Sequence, residues 1–199
     1  MFALKTIVGV GLLLFTTLSA LQAGPTVIIS TSLGDITVEL NEEKAPKTVA
    51  NFLSYVKEGF YDNTVFHRVR KKFMIQGGGF WLEESGEIKQ KETKDPVENE
   101  SQNGLKNERG AIAMARLGDP HSATSQFFIN DVTNEFLDPK KPTDWAYTVF
   151  GKVSGGMDVV DKIAAVDTES KILTTSYGPR PMEDVPSETV VIKSIKLTE

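Results

Sequence analysis

Cysteine is absent from this 199-residue sequence, and histidine occurs only twice, as His67 and His121. Without cysteine the chain can form neither a disulfide framework nor a thiolate nucleophile. Two imidazoles without any thiolate argue against a transition-metal site of the usual kind. We therefore expect a protein that holds no metal and needs no cofactor.

A net positive charge is missing as well. The chain has 22 basic and 27 acidic residues, which gives a net charge of −5, and this balance offers no electrostatic reason to bind nucleic acid. A basic cluster formed by Arg68, Arg70, Lys71 and Lys72 is interpreted as a solvated rim. The hydrophobic content of 40% and the charged content of 25% are ordinary for a globular chain of one domain.

Charged residues are also missing between Lys5 and Asp35. Lys5 would supply the positive start of an export signal, residues 7–15 its apolar core, and residues 16–23 its smaller, more polar end. The pattern therefore predicts a signal peptide over residues 1–23.

Two fates of this segment stay open. Cleavage after Ala23, or after Ala20, would release a domain of residues 24–199, whereas an uncleaved segment would anchor the protein in a membrane. The apolar core is shorter than the ~20 residues of a spanning helix, and Gly24 and Pro25 follow the segment. We therefore expect cleavage and no stable membrane insertion.

The rest of the sequence is dominated by patterns typical of short strands. β-Branched runs on either side of a Ser-Leu-Gly turn predict a hairpin over residues 26–40. Helical spacing of apolar residues occurs twice, in residues 44–59 and 157–163. Many strands with two isolated helices favour an antiparallel barrel. Residues 167–186 contain three prolines and are interpreted as a long surface loop.

The stretch FHRVRKKFMIQGGGF, residues 66–80, places Arg68 and Gln76 among large apolar residues and contains no acid. Such a segment suits a pocket that holds an apolar, neutral group while directing hydrogen-bond donors at it. The alternative is an amphipathic strand whose Arg68 points to water. No Lys-Ser or Lys-Thr pair follows the glycines 77–79, so we interpret them as a place for close approach of a substrate backbone rather than as a phosphate loop.

Strand alternation in this stretch bears on the role of its histidine. An extended strand places Phe66 and Arg68 on one face and His67 and Val69 on the other. His67 would then point away from the arginine. We expect His67 to be a structural residue rather than an acid–base catalyst.

Further motifs follow along the chain. FHRV and FMIQGG, then RGAIAMA, SQFFI, FLD and VFG, occur in the order and near the spacing of the cyclophilins, the peptidyl-prolyl cis–trans isomerases. The resemblance covers about residues 27–197. It implies a mainly β fold, a closed eight-stranded antiparallel barrel capped by two α-helices. It also implies an enzyme that rotates X–Pro peptide bonds without a cofactor.

The resemblance implies roles for individual residues. Arg68 and Gln76 would be catalytic: the arginine donates to the rotating bond, and the glutamine binds substrate and helps to orient the arginine. The substrate-binding residues would be Phe73, Met74, Ala115, Gln126, Phe128, Phe136, Leu137 and Tyr147. By residue type alone, Phe128 and Leu137 would instead be assigned to the core.

Three positions depart from the eukaryotic pattern of the family. Phe136 replaces a tryptophan of the pocket wall, and Tyr147 replaces a histidine, as is common in bacterial members. Arg116 replaces an asparagine, so any substrate contact there would come from the backbone. Together with the export signal, Phe136 and Tyr147 suggest a bacterial protein of the periplasm. We expect a monomer that acts on proline-containing, unfolded or partly folded exported proteins.

Two other functions stay open. The fold could serve as a proline-peptide-binding chaperone module with incidental catalysis, although binding alone does not require Arg68. A barrel that binds small lipophilic ligands would need an open lumen. The bulky run Phe127-Phe128-Ile129 argues for a filled one.

Overall fold

The computed structural model describes residues 24–198, so the signal peptide expected in residues 1–23 lies outside the described part. The strands are β1 (Thr26–Thr31), β2 (Gly34–Leu40), β3 (Thr64–Arg70), β4 (Met74–Leu82), β5 (Ile88–Gln90), β6 (Ala111–Met114), β7 (Phe127–Asn130), β8 (Val149–Gly155), β9 (Thr168–Thr175), β10 (Gly178–Pro186) and β11 (Val191–Leu197). The helices are α1 (Pro46–Lys57) and α2 (Met157–Ala164), and Glu135–Leu137 forms a short 3-10 turn.

Eight of the strands close into a barrel. Their order around it is β4-β3-β11-β1-β2-β8-β6-β7, and β7 pairs back onto β4. Every neighbouring pair in this ring is antiparallel. The expected closed eight-stranded antiparallel barrel with two helices is therefore confirmed.

Side chains fill the interior of this barrel. Phe127 and Ile129 have no exposed surface. The ring of Phe127 meets those of Phe52, Tyr61 and Phe66 edge-on, with centroids 5.7–6.3 Å apart, an arrangement that aromatic rings favour. The lumen is thus a packed core, as the bulky run in β7 predicts.

Both helices contribute an apolar face to the same core. The buried residues of α1 recur three and four positions apart, at helical spacing, and those of α2 share the core cluster with them. Pro46 begins α1, where its missing N–H removes no helical hydrogen bond. No helix in residues 24–198 is long and apolar enough to cross a membrane.

The structure contradicts the surface loop expected over residues 167–186. β9 and β10 form an antiparallel hairpin, and β9 joins the sheet beside β5. Pro179 and Pro181 lie in β10, the last strand of the sheet, and such a strand tolerates proline because one of its sides has no ladder bonds to lose. Leu173 and Val185 bury the inner side of the hairpin against side chains of β3, β4 and β5.

The strict alternation of side chains expected for residues 66–69 of β3 is also wrong. The register of β3 against β4 shifts between Phe66 and Arg68, and such a bulge adds one residue to the strand. Val69 consequently joins Phe66 in the interior core. Arg68 lies on the outer side of the barrel, where it lines a surface cavity.

His67 is buried beside this bulge. The side chain is 1% exposed, and its ring lies 4.6 Å from that of Phe80. Its Nδ1 atom has no hydrogen-bond partner within residues 24–198. Burial disfavours the charged form and lowers the pKa of His67 from 6.5 to about 4. These features support the structural role expected of this histidine.

Acid should therefore destabilise the fold through His67. Between pH 6.5 and about 4 the unfolded chain binds a proton that the folded chain does not, so the free energy of unfolding falls as the pH decreases. The loss attributable to this group should reach about 2–3 kcal/mol between pH 7.5 and 4.5. Denaturant titrations at these two pH values would measure it.

The comparison that isolates this effect uses two variants. His67→Leu should lose the part of the pH dependence that comes from the buried imidazole. His121→Gln, which changes the exposed histidine, should keep it. Equal pH dependence of unfolding in wild type and His67→Leu would contradict the assignment.

Candidate functional site

A cavity of about 240 Å³ opens on the outer side of the barrel. Its lining residues are Arg68, Phe73, Met74, Gln76, Ala115, Arg116, Phe128, Leu137 and Tyr147. Eight of the ten residues expected from the sequence thus line a single cavity. Gln126 and Phe136 do not line it, but each contacts a residue that does: Gln126 accepts a hydrogen bond from Gln76, and Phe136 stacks on Phe73.

The floor of the cavity is formed by Phe128 of β7 and Met74, the first residue of β4. Phe128 stands between two interior residues and faces outward, where it is 4% exposed. It shares an apolar cluster with Met74 and Leu137, and this cluster is separate from the interior core. Phe128 and Leu137 are therefore buried, as their types predict, but they are buried in the wall of the cavity.

The 3-10 turn carries Leu137 and is tied to the opposite wall. The buried side chain of Asn134 donates from Nδ2 to the carbonyl oxygen of Phe73 at 2.9 Å and to Asn130 Oδ1 at 2.7 Å. The ring of Phe136 stacks on that of Phe73 with centroids 5.6 Å apart. Phe136 is 66% exposed, so it supports Phe73 from outside and lines an adjoining groove of about 550 Å³.

Tyr147 forms a further wall and is held by Arg116. The Tyr147 ring meets Phe128 edge-on at 5.6 Å, and the Arg116 guanidinium lies 4.8 Å above the Tyr147 ring. Arg116 also donates from Nε to the carbonyl oxygen of Ala146 at 3.1 Å and from Nη1 to that of Leu117 at 2.8 Å. Sequence reasoning did not anticipate this clamp, because it depends on loops that only the fold brings together.

Gln76 supplies the polar side of the cavity. Its Nε2 donates to Gln126 Oε1 at 2.9 Å, which leaves the Gln76 carbonyl oxygen without a side-chain donor among the described residues. Gln126 in turn occupies the space beside Gly79, where a Cβ atom would collide with the Gln126 side chain. The missing side chain of Gly79 therefore leaves room for Gln126, and the hydrogen bond from Gln76 to Gln126 orients Gln76.

The other two glycines of this run also make room for the protein itself. A Cβ atom on Gly77 would lie 3.0 Å from the Phe66 ring, and one on Gly78 would lie 2.8 Å from the Phe127 ring. Gly78 has a φ of 81°, a conformation that other residues rarely adopt. The interpretation that these glycines admit a substrate backbone is thus wrong, because side chains of the barrel fill the space.

Arg68 lies at the rim of the cavity. Its side chain is about one-third exposed, and its Nε is 3.7 Å from Oδ2 of Asp184 in β10. Gln76 faces Arg68 across the β3–β4 ladder, but among the described residues no hydrogen bond joins the two side chains, and the Gln76 Nε2 donates to Gln126 Oε1. Asp184 was missed in the sequence because it belongs to the segment interpreted as a loop, and no motif marks it.

The arrangement combines a small cavity that has apolar side chains in its walls with a permanently charged guanidinium at its rim and an amide beside it. A guanidinium is planar, does not titrate in the physiological range, and presents several N–H donors. Such a site can hold a neutral apolar ring and donate hydrogen bonds to polar atoms next to that ring.

Comparisons with known proteins agree with this geometry. A family model described as cyclophilin type peptidyl-prolyl cis-trans isomerase/CLD matches residues 26–197. The chain is 52% identical over 176 residues to peptidyl-prolyl cis-trans isomerase B of Escherichia coli strain K12, covering 87% of this chain and 99% of that protein. It is 51% identical over 174 residues to the isomerase cyp18 of Streptomyces antibioticus, covering 86% and 98% respectively.

A solved structure has the same fold. A cyclophilin type peptidyl-prolyl cis-trans isomerase of Cryptosporidium parvum, crystallised in the presence of the dipeptide Ala-Pro, superposes with a TM-score of 0.67. It is 27% identical in sequence and covers 87% of this chain and 99% of its own. By its motifs, its barrel and these relatives, the chain belongs to the cyclophilin-type peptidyl-prolyl cis–trans isomerase family.

Proposed function

We propose that this peptidyl-prolyl cis–trans isomerase holds a substrate proline ring in the 240 Å³ cavity and lowers the rotation barrier with donors from Arg68. The observation that carries the proposal is the position of the arginine. Its guanidinium stands at the rim of an apolar cavity and donates no hydrogen bond within residues 24–198, so its terminal N–H groups are free for a substrate.

The size of the cavity supports a small ring as its occupant. Pockets for drug-sized ligands enclose roughly 300–1,000 Å³, and this one is smaller. Phe73, Met74, Phe128 and Leu137 give it apolar walls. A prolyl ring is small and apolar, while the peptide bond attached to it is polar and would lie at the rim.

The chemistry needs no bond to be broken. A peptide C–N bond has partial double-bond character with a barrier of about 18–20 kcal/mol, and X–Pro bonds exchange over tens to hundreds of seconds. Rotation takes the nitrogen lone pair out of conjugation with the carbonyl. A donor fixed near the prolyl nitrogen or the rotating carbonyl stabilises this twisted state more than the planar one.

Gln76 has a supporting part in this proposal. Its Nε2 donates to Gln126 Oε1, which orients the amide so that its side-chain oxygen, Oε1, can act as an acceptor. A substrate backbone N–H can donate to that oxygen while the ring occupies the cavity. Ala115 and Tyr147 complete the walls next to which the flanking substrate residues would lie.

The cellular role is proposed from the N-terminus. The family model begins at residue 26, so the apolar segment before it is an addition to the isomerase domain. Its pattern supports export to the periplasm, where a monomeric enzyme would act on proline-containing, unfolded or partly folded exported proteins. An uncleaved N-terminus that anchors the same domain to the membrane is the alternative.

Replacing Arg68 tests the mechanism. Arg68→Ala should lower kcat/KM by roughly two orders of magnitude, the effect of losing one preorganised donor. The fold should persist because the side chain is partly exposed. Arg70→Ala removes the same charge from an exposed position two residues away and should remain near wild type. A protease-coupled isomerisation assay on a short X–Pro peptide measures all three proteins.

The same assay separates catalysis from binding. Wild-type kcat/KM in Arg68→Ala, with an unchanged circular dichroism spectrum, would refute the proposed mechanism. A wild-type protein that binds the peptide without accelerating its isomerisation would instead indicate a proline-peptide-binding module.

Replacing Gly79 tests the support of Gln76. Gly79→Ala should displace Gln126 and so release Gln76, lowering kcat/KM roughly tenfold to a hundredfold. Gln126→Ala should give a loss of similar size, because it removes the same hydrogen bond. Gly155→Ala, where the added methyl meets only Thr37 at 3.4 Å, is the matched control. Full activity of Gly79→Ala would show that the position of Gln126 does not matter.

The N-terminus gives a separate test of location. Protein expressed in a bacterial host should begin at Gly24, or at Leu21, and should appear in the soluble periplasmic fraction. A chain that starts at Gly24 with an added methionine should stay in the cytoplasm. N-terminal sequencing that recovers residues before Ala20 from the membrane fraction would support the anchored alternative.

A further inference from the structure

The partner of Arg68 lies outside the barrel. Oδ2 of Asp184 is 3.7 Å from Arg68 Nε, and Asp184 belongs to β10, the outer strand of the added hairpin. This is the only ion pair of Arg68 within residues 24–198. The hairpin therefore places a carboxylate beside the guanidinium that the proposed mechanism uses.

The backbone directs Asp184 toward the arginine. Asp184 has a φ of 58°, in the left-handed region, which is uncommon for a residue with a side chain. The register between β10 and β9 shifts between Met182 and Val185, so Asp184 lies in a bulge. Bulges change the direction in which a side chain points. The next residue, Val185, is 1% exposed and holds the bulge in place.

The contact with Asp184 involves Nε and leaves the two terminal nitrogens of Arg68 available to a substrate. Asp184 approaches Nε, on the inner part of the guanidinium. The two terminal nitrogens donate no hydrogen bond to residues 24–198. Gln76, the other candidate for orienting the arginine, donates from Nε2 to Gln126, and no hydrogen bond joins its side chain to Arg68 among the described residues. The carboxylate thus restrains one side of a planar group whose other side is available at the cavity.

We propose that Asp184 is a positioning residue that holds the Arg68 guanidinium in the orientation required for donation to the substrate. The inference rests on the proposed role of Arg68. Both side chains are about one-third exposed, and ion pairs of such groups contribute little to the stability of a fold. The effect of Asp184 should therefore appear in catalysis more than in stability.

The kinetic signature follows from what each part of the site binds. The apolar cavity holds the ring equally well with or without Asp184, so KM should change less than twofold. An arginine free to adopt other orientations donates less often to the twisted state, so kcat should fall about threefold to tenfold. A purely structural role would instead lower the amount of folded enzyme.

Two substitutions preserve the backbone at this bulge. Glycine and asparagine both tolerate a positive φ, so Asp184→Gly and Asp184→Asn should fold normally. Asp184→Gly removes the carboxylate and should show the full loss of kcat. Asp184→Asn keeps an acceptor oxygen without the charge and should show a smaller loss. Glu183→Gln removes one charge from the neighbouring exposed residue and should match wild type.

A double-mutant cycle makes the test decisive. In an Arg68→Ala background, Asp184→Gly should have no further effect on kcat/KM, because there is no guanidinium to position. An equal loss in both backgrounds, or wild-type kcat in Asp184→Gly, overturns the inference about Asp184. If Arg68→Ala is impaired in the same assay, the proposed mechanism still stands. Full activity of Arg68→Ala overturns both.

Discussion

The pairing of β7 with β4 is the interaction on which the rest of the molecule depends. It closes the barrel through four residue pairs, from Met74 with Asn130 to Gly77 with Phe127. One face of this ladder supplies interior residues, and the other supplies Met74, Gln76 and Phe128 to the cavity. The floor of the cavity is therefore held by the same ladder that closes the barrel, which gives this part of the site the rigid support that preorganisation requires.

The aromatic filling of the barrel is linked to the polar side of the site. Large rings in the interior need space where β4 crosses them, and that space exists only because Gly77 and Gly78 have no side chains. Gly79 extends the same run and admits Gln126, which holds Gln76. Packing inside the barrel and hydrogen bonding at the cavity thus depend on one short segment.

Most of the cavity lining could be predicted because its residues belong to short contiguous motifs of the family. Met74 and Gln76 lie in one motif and Phe128 in another, and pairing of β4 with β7 brings them together. The face of Arg68 could not be predicted, because it depends on a bulge set by the register against β4. The hairpin was missed because its prolines suggest a loop until β10 is known to end the sheet.

The hairpin and the buried histidine pack against the same apolar cluster. His67 lies against Phe80, and Phe80 belongs to the apolar cluster that buries Leu173 and Val185 of the hairpin. Val185 follows Asp184 directly, so this cluster also determines where the carboxylate meets Arg68. Protonation of His67 places a charge at the edge of the cluster, where burial disfavours it. Acid would therefore weaken the anchor of the hairpin, and with it the orientation of the arginine.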